Sequence, residues 1–219
     1  MALIDLSAVT TTLHRLLESN INQRLHPGLG AKISPRRPEQ LDEDGDTNLI
    51  FLHLYHVSED RDYQHEPVVS LDANRTATVP MALKLFYVMT TLHRPAAGQD
   101  DDPIVQQRLF GYALKTFHDF PVINDDTRVD SVQVLAPAIR GLDNQFEIVL
   151  RPVTPEESTT FWSAADKTTT RLSAYYEVRV ALLQPEKPVL MPGVTFSLGD
   201  FPVLIGARSE EHTSELQSP

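Results

Sequence analysis

The sequence predicts an α+β domain in which a mixed, largely antiparallel sheet is packed with helices. Three observations carry this. Residues 48–57 and 81–91 are near-continuous apolar runs of strand length. Two helices declare their starts by capping residues, Asp102-Pro103 and Thr154-Pro155-Glu156-Glu157. Residues 145–152 and 172–183 alternate apolar and polar positions, as half-exposed antiparallel strands do.

Taken in chain order, Leu6, Val9, Leu13, Leu16, Leu17 and Ile21 recur at helical spacing from about Asp5 to Leu25. Asp5 or Ser7 is placed to cap that helix, and Pro27-Gly28 to stop it. A short strand over 31–34 and a polar, proline-containing loop over 35–46 follow. In the strand over 48–57, Ile50, Leu52 and Leu54 face one way and Leu49, Phe51, Tyr55 and Val57 the other, which predicts cover on both sides. The run over 81–91 has the same character, with Pro80 before it and a capped helix from Pro103 after it. The acidic run Asp100 to Asp102 suits the positive end of that helix. A second helix runs from Thr154 to about Ala165. In the last strand Leu172, Ala174, Tyr176, Val178, Val180 and Leu182 share a face, opposite Ser173, Glu177 and Arg179. Residues 124–144 give no clear pattern.

Residues 3–184 read as one domain and 185–207, with Pro185, Pro188 and Pro192, as a linker leading into a truncated segment. The final stretch, Arg208 to Pro219, is similar over all twelve residues to one reading frame of a sequencing adapter and is set aside from fold reasoning. It carries one Arg and three Glu, so without it the net charge moves from −11 to −9. An acidic chain repels phosphate backbones, which argues against nucleic acid as a partner. The absence of cysteine excludes disulfides, thiolate catalysis and cysteine-based zinc sites. The N-terminus has no basic, apolar signal pattern, and no apolar run approaches the roughly 20 residues of a membrane helix, so no membrane partner is expected.

Catalytic patterns are thin. Asp42, Asp44 and Asp46 with Gly45 lack the spacing and closing Glu of a calcium loop and read as a solvated loop. His53 and His56, three apart in a strand, should face opposite sides. His14, His26, His65 and His93 have no second ligand at metal spacing. His118 beside Asp119 is the one acid–base candidate, and a helix C-terminus favouring a cationic imidazole explains it as well. No nucleophile elbow or phosphate-cradling glycine loop is present. Asn74-Arg75-Thr76 matches a glycosylation sequon by pattern alone. Trp162, the only tryptophan, is expected to be buried against the sheet rather than to stack on a ligand. Gly111, inside a helix, suggests close packing on a neighbour.

The ordered set Asp5-Leu6-Ser7, Asn48 to Leu52, Pro80 to Thr90, Leu109 to Leu114, Phe117 to Pro121, Phe161-Trp162 and Arg171 to Arg179 resembles the N-terminal-domain family of the tail-cap (tail-terminator) proteins of extracellular contractile injection systems. These are headless phage-tail-like particles of the virulence-cassette and antifeeding-prophage type. The resemblance covers roughly Leu3 to Leu183, and departs from the family in the acidic 35–47 loop and between Asp126 and Leu142. It implies a phage tail-terminator-like fold and a non-enzymatic ring, a homo-hexamer. That ring would end tube polymerisation and anchor the last sheath layer, with sheath and inner-tube proteins as partners. It also implies assembly in the cytoplasm before release of the particle. No catalytic, cofactor-binding or metal residues are expected. The expected structural core includes Leu52, Leu54, Pro80, Leu83, Leu85, Tyr87, Gly111, Phe117, Trp162, Tyr176 and Val178, and no interface residues are assigned. The rival readings are an adaptor or terminator of a phage tail or secretion system, a small hydrolase using His118 and Asp119, and a carbohydrate-binding module built on Trp162.

Overall fold

The computed structural model describes residues 6–37, 48–60, 81–95, 102–141, 144–163 and 171–183. Helix α1 (Ser7–Ser19) begins with Leu6 as its N-cap and no side-chain capping bond, so Ser7 is its first residue and not its cap. Its apolar stripe, Val9, Leu13, Leu16 and Leu17, is wholly buried. A π-helical turn (Asn20–Leu25) prolongs it. Gly28, at a φ of +93°, then turns the chain in a conformation that L side chains resist. Asn22 clamps the turn by bonding both the amide and the carbonyl of Ala31, each at 2.8 Å.

From there the chain enters β1 (Lys32–Ser34), which runs parallel to β2 (Asn48–Glu59). β3 (Met81–His93), helix α2 (Pro103–Asp119) and β4 (Val122–Ile123) follow. A small hairpin, β5 (Arg128–Val129) and β6 (Val132–Gln133), and a single 3-10 turn (Pro137–Ile139) come next. β7 (Phe146–Arg151), α3 (Pro155–Ser163) and β8 (Ser173–Leu183) complete the order. One six-stranded sheet runs β1-β2-β3-β8-β7-β4, antiparallel except at β1–β2.

Both predicted caps form. The Asp102 carboxylate accepts from the Ile104 amide at 2.9 Å. Thr154 and Glu157 bond each other's amides reciprocally at 2.9 and 3.2 Å. Each such cap is worth about 1 kcal/mol.

The main core lies between the inner face of the sheet and α1 with α2. Leu52, Leu83, Leu85, Tyr87, Phe117, Tyr176 and Val178 are buried there. Leu54 is only half-buried, because it lies beyond the stretch of β2 flanked by β1 and is the last inward residue before a bulge. Pro80 falls outside the described residues. Gly111 departs from expectation: it lies on the exposed side of α2, and a Cβ there would meet nothing within 4 Å. No close approach requires this glycine.

The stretch 124–144, without pattern in the sequence, belongs to the same core through Val129, Val134, Leu135 and Ile139, and Ile123 just before it does too. The tie of this stretch to α1 is polar and buried. The Thr12 hydroxyl accepts from the Ala136 amide at 3.0 Å and donates to the Ala8 carbonyl at 2.8 Å.

The outer face carries a second cluster where α3 docks. Trp162, 1% exposed, packs with Val88 and Tyr175. Tyr175 therefore corrects the reading of β8 as apolar on one side only, since α3 covers this part of its polar face. Cover of β2 on both sides holds for its first half, where Leu49 to Leu52 are buried, and fails for His56 and Val57, which are exposed. Leu172, expected on the inward face, is 46% exposed just before β8 begins.

Candidate assembly surface

The candidate chemical groups of the sequence do not converge. Asp119 is held by Lys115, one helical turn back, at 2.9 Å, so its carboxylate serves a helix-surface ion pair rather than His118. Trp162 is buried too deeply to stack on a ligand, and its indole Nε1 donates to the Ser173 hydroxyl at 3.0 Å. Among the described residues no group of three or more His, Asp or Glu could hold a metal ion. No described helix is long and apolar enough to cross a membrane.

The histidines of β2 need a correction. The register slips between Leu54 and His56, so Tyr55 is an extra, bulged residue. His53 then pairs with Val88 and His56 with Phe86. Those two residues lie two apart on β3, which places both histidines on one face. They have different partners all the same. His53 contacts the Pro35 carbonyl and Arg37, at 3.2 and 3.3 Å, and His56 lies against the Phe86 ring at 5.3 Å.

His14 is a different case. Burial lowers its pKa, opposed by a hydrogen bond to the Leu52 backbone, and its Nε2 is buried without a partner. It is a neutral, inward-facing imidazole. Burial also pushes the Tyr87 phenol up to about 12, against the bond it makes with the Thr10 hydroxyl at 2.9 Å. Tyr176 is raised for the same reason of burial. All three side chains belong to the interior of the domain.

What the fold offers is surface. On the outer face, Arg179 joins Glu177 on its own strand at 2.9 Å and Glu147 on the neighbouring β7 at 3.4 Å. Lys84 meets the buried Asp60 carboxylate at 2.8 Å. Beside this charged strip lies the aromatic group of Tyr55, Phe86, Phe161 and Tyr175, with the Arg151 guanidinium 5.0 Å over the Phe86 ring.

At the β4 end, β4 pairs with only Phe146 and Glu147 of β7, and the Ile148 amide goes to the Pro121 carbonyl. Backbone direction alternates along a strand, so Leu150 presents its amide and carbonyl to the same side, with no strand opposite among the described residues. Leu150 is also 56% exposed. Two hollows of about 520 and 530 Å³ adjoin there and share Leu114 and Leu150. Sequence reasoning missed this groove, because its walls come from α2, β7, α3 and the start of β8, and no short motif links them.

The chain matches the Pvc16 N-terminal domain family over residues 8–195. No curated protein sequence matches it significantly. Among solved structures it is similar to the PVC sheath/tube terminator of an extracellular contractile injection system in its extended state. That likeness has a TM-score of 0.55 and 15% identity, and covers 97% of this chain and 65% of the other. It is similar also to the tube-terminating cap of the anti-feeding prophage, with a TM-score of 0.53 and 17% identity over 87% of this chain and 59% of the other. The chain thus spans less than two thirds of the length of either. At these identities the likeness establishes a shared tail-terminator fold.

Proposed function

The chain belongs to the Pvc16 N-terminal domain family, and from that premise we propose that it is a structural cap at the end of a contractile, phage-tail-like injection particle. In this reading it closes the end away from the baseplate, stops growth of the inner tube and anchors the last sheath layer. It acts as a ring, a homo-hexamer, with tube and sheath proteins as partners and with no catalytic step. It assembles in the cytoplasm and leaves as part of the released particle.

One observation supports this above the others: a likeness in fold to two terminators that covers 97% and 87% of the chain. The physical character of the domain agrees. Two apolar clusters, one on each side of the sheet, make a rigid block, and His14, Tyr87 and Tyr176 sit in it as neutral groups. Copies carrying net negative charge repel one another, but charges beyond about 8 Å apart are largely screened at physiological salt. Ring contacts must therefore be short-range.

The test is reconstitution. Tube and sheath proteins assembled with this chain should give particles of narrow length distribution, with density at one closed end by electron microscopy. Without it, tubes should run to variable lengths. Equal length distributions with and without the chain, while the chain itself is folded by circular dichroism, would overturn the proposal.

A further inference from the structure

The groove at the β7 edge holds an unusual cation. Arg171 lines it, and the guanidinium Nε is buried with no hydrogen-bond partner. The neighbouring hydroxyls are already engaged. Ser173 receives the Trp162 indole and donates to the Arg171 carbonyl, Ser158 bonds the Tyr175 phenol, and Thr154 belongs to the α3 capping box. Arg151, in the same wall, makes a ring contact with Phe86 and no ion pair among the described residues. Elsewhere Lys84, Lys115 and Arg179 each face a carboxylate, and Arg15 and Arg140 donate to backbone carbonyls. A guanidinium nitrogen enclosed without an acceptor is costly, and a carboxylate brought to the half-buried Arg171 side chain is the acceptor it fits.

The rest of the groove says what carries that carboxylate. Its floor and rim are apolar, from Phe110, Leu114, Leu150, Leu172 and Ala174, so the ligand brings apolar groups with the charge. Beside them, the Leu150 amide and carbonyl form a strand edge that no described strand pairs, which suits a polypeptide backbone and does nothing for an aliphatic acid. Arg151 and Arg171, neither in an ion pair among the described residues, make this hollow locally complementary to a carboxylate within a chain whose net charge is −11.

We propose that the groove between α2, the β7 edge and Arg171 is a docking site for an extended, apolar segment of a partner protein that bears an Asp or Glu carboxylate. The segment lies along Leu150 by strand addition, seats its apolar side chains on Leu114 and Leu172, and places its carboxylate on Arg171. This site stands on the groove alone and holds whether or not the domain caps a tube.

The test uses the full chain and a blocked octapeptide that alternates leucine and threonine and carries one aspartate at its fifth position. Binding is followed by fluorescence anisotropy of a dye on the peptide. The aspartate peptide should bind about ten-fold more tightly than its asparagine counterpart, the scale of one charge-assisted hydrogen bond. Arg171→Gln should erase that preference and Arg171→Lys restore part of it, both with unchanged far-ultraviolet circular dichroism. Leu150→Pro, which removes the edge amide, should weaken both peptides alike. Equal binding of the two peptides, no binding of either, or an unaltered preference in Arg171→Gln overturns the proposal. So does decanoate binding as tightly as the peptide. Self-association of the chain that Arg171→Gln abolishes, without peptide binding, assigns the groove to a second copy and also overturns it.

Discussion

Replacing Trp162 by Ala tests how the outer cluster holds the domain together. The indole is 1% exposed, meets the Phe161 ring edge-on at 5.4 Å, packs on Val88 and Tyr175, and donates to Ser173 at 3.0 Å. Removing an aromatic ring from such a site costs about 3–5 kcal/mol through lost burial and the cavity left behind. For a chain of this size that corresponds to a fall of about 6–20 °C in Tm. Trp162→Phe keeps most of the ring contact and loses the Nε1 bond, so it should cost about 1 kcal/mol beyond the lost area. Urea unfolding followed by circular dichroism at 222 nm measures both variants, since the mutation removes the only tryptophan and with it the fluorescence signal. The native protein should emit with a blue-shifted maximum, and Trp162→Phe combined with Ser173→Ala should show coupling of about 1 kcal/mol in a double-mutant cycle. A cost below about 1 kcal/mol for Trp162→Ala, or a native emission maximum like that of tryptophan in water, refutes the argument that α3 is anchored through this ring.

Gly111→Ala should stabilise the protein by about 1 kcal/mol, read as a higher urea midpoint, because the site is exposed helix with room for a methyl group. Thr12→Val should cost about 1–3 kcal/mol, since the buried Ala136 amide loses its acceptor, while Thr12→Ser should cost less. His14 gives a pH dependence. Its folded pKa is depressed, so the unfolded chain binds more protons between the folded value and 6.5. Its contribution to stability is complete above about pH 6.5 and declines as pH falls through the folded value, and in His14→Phe the stability–pH slope just below pH 6.5 should flatten. In an alkaline titration read at 295 nm, Tyr87 should ionise near 12, and Tyr87→Phe should remove that late step.

The sequence revealed most of the architecture where periodicity extends over enough residues to be read. β2, β3, β7 and β8 follow from apolar runs and alternation, and α2 and α3 start at Asp102 and Thr154 as their capping residues predict. Two-residue strands such as β4, β5 and β6 are too short to show a period, so residues 124–144 had no place until the structure tied Ala136 to Thr12. A bulge is likewise invisible to a strict two-residue alternation. Tyr55 shifts the parity of β2 and brings His53 and His56 to one side. Tyr175 had no place in the alternation read for β8, because burial on the second face depends on α3, which reaches it only through tertiary packing. Gly111 misled for the opposite reason: a helix propensity penalty was taken as a sign of contact, and the site is open. The groove was beyond the sequence altogether, as Arg171 stands out only once its Nε is seen to be enclosed and unpaired.

The middle of the sheet joins strands from distant parts of the chain, with Thr90 opposite Ser173 and Lys84 opposite Arg179. During synthesis β2 and β3 can pair as a hairpin-like unit soon after emergence, but the flank of β3 that belongs to β8 stays bare until residue 183 has left the ribosome. Closing so long a loop costs entropy before any contact repays it, so this step should govern the folding rate. A nascent copy released or stalled before that point displays a long hydrophobic strand margin. Neighbouring nascent copies on one messenger are then the nearest surface it can join, and the timing of translation through the last strand becomes a determinant of yield.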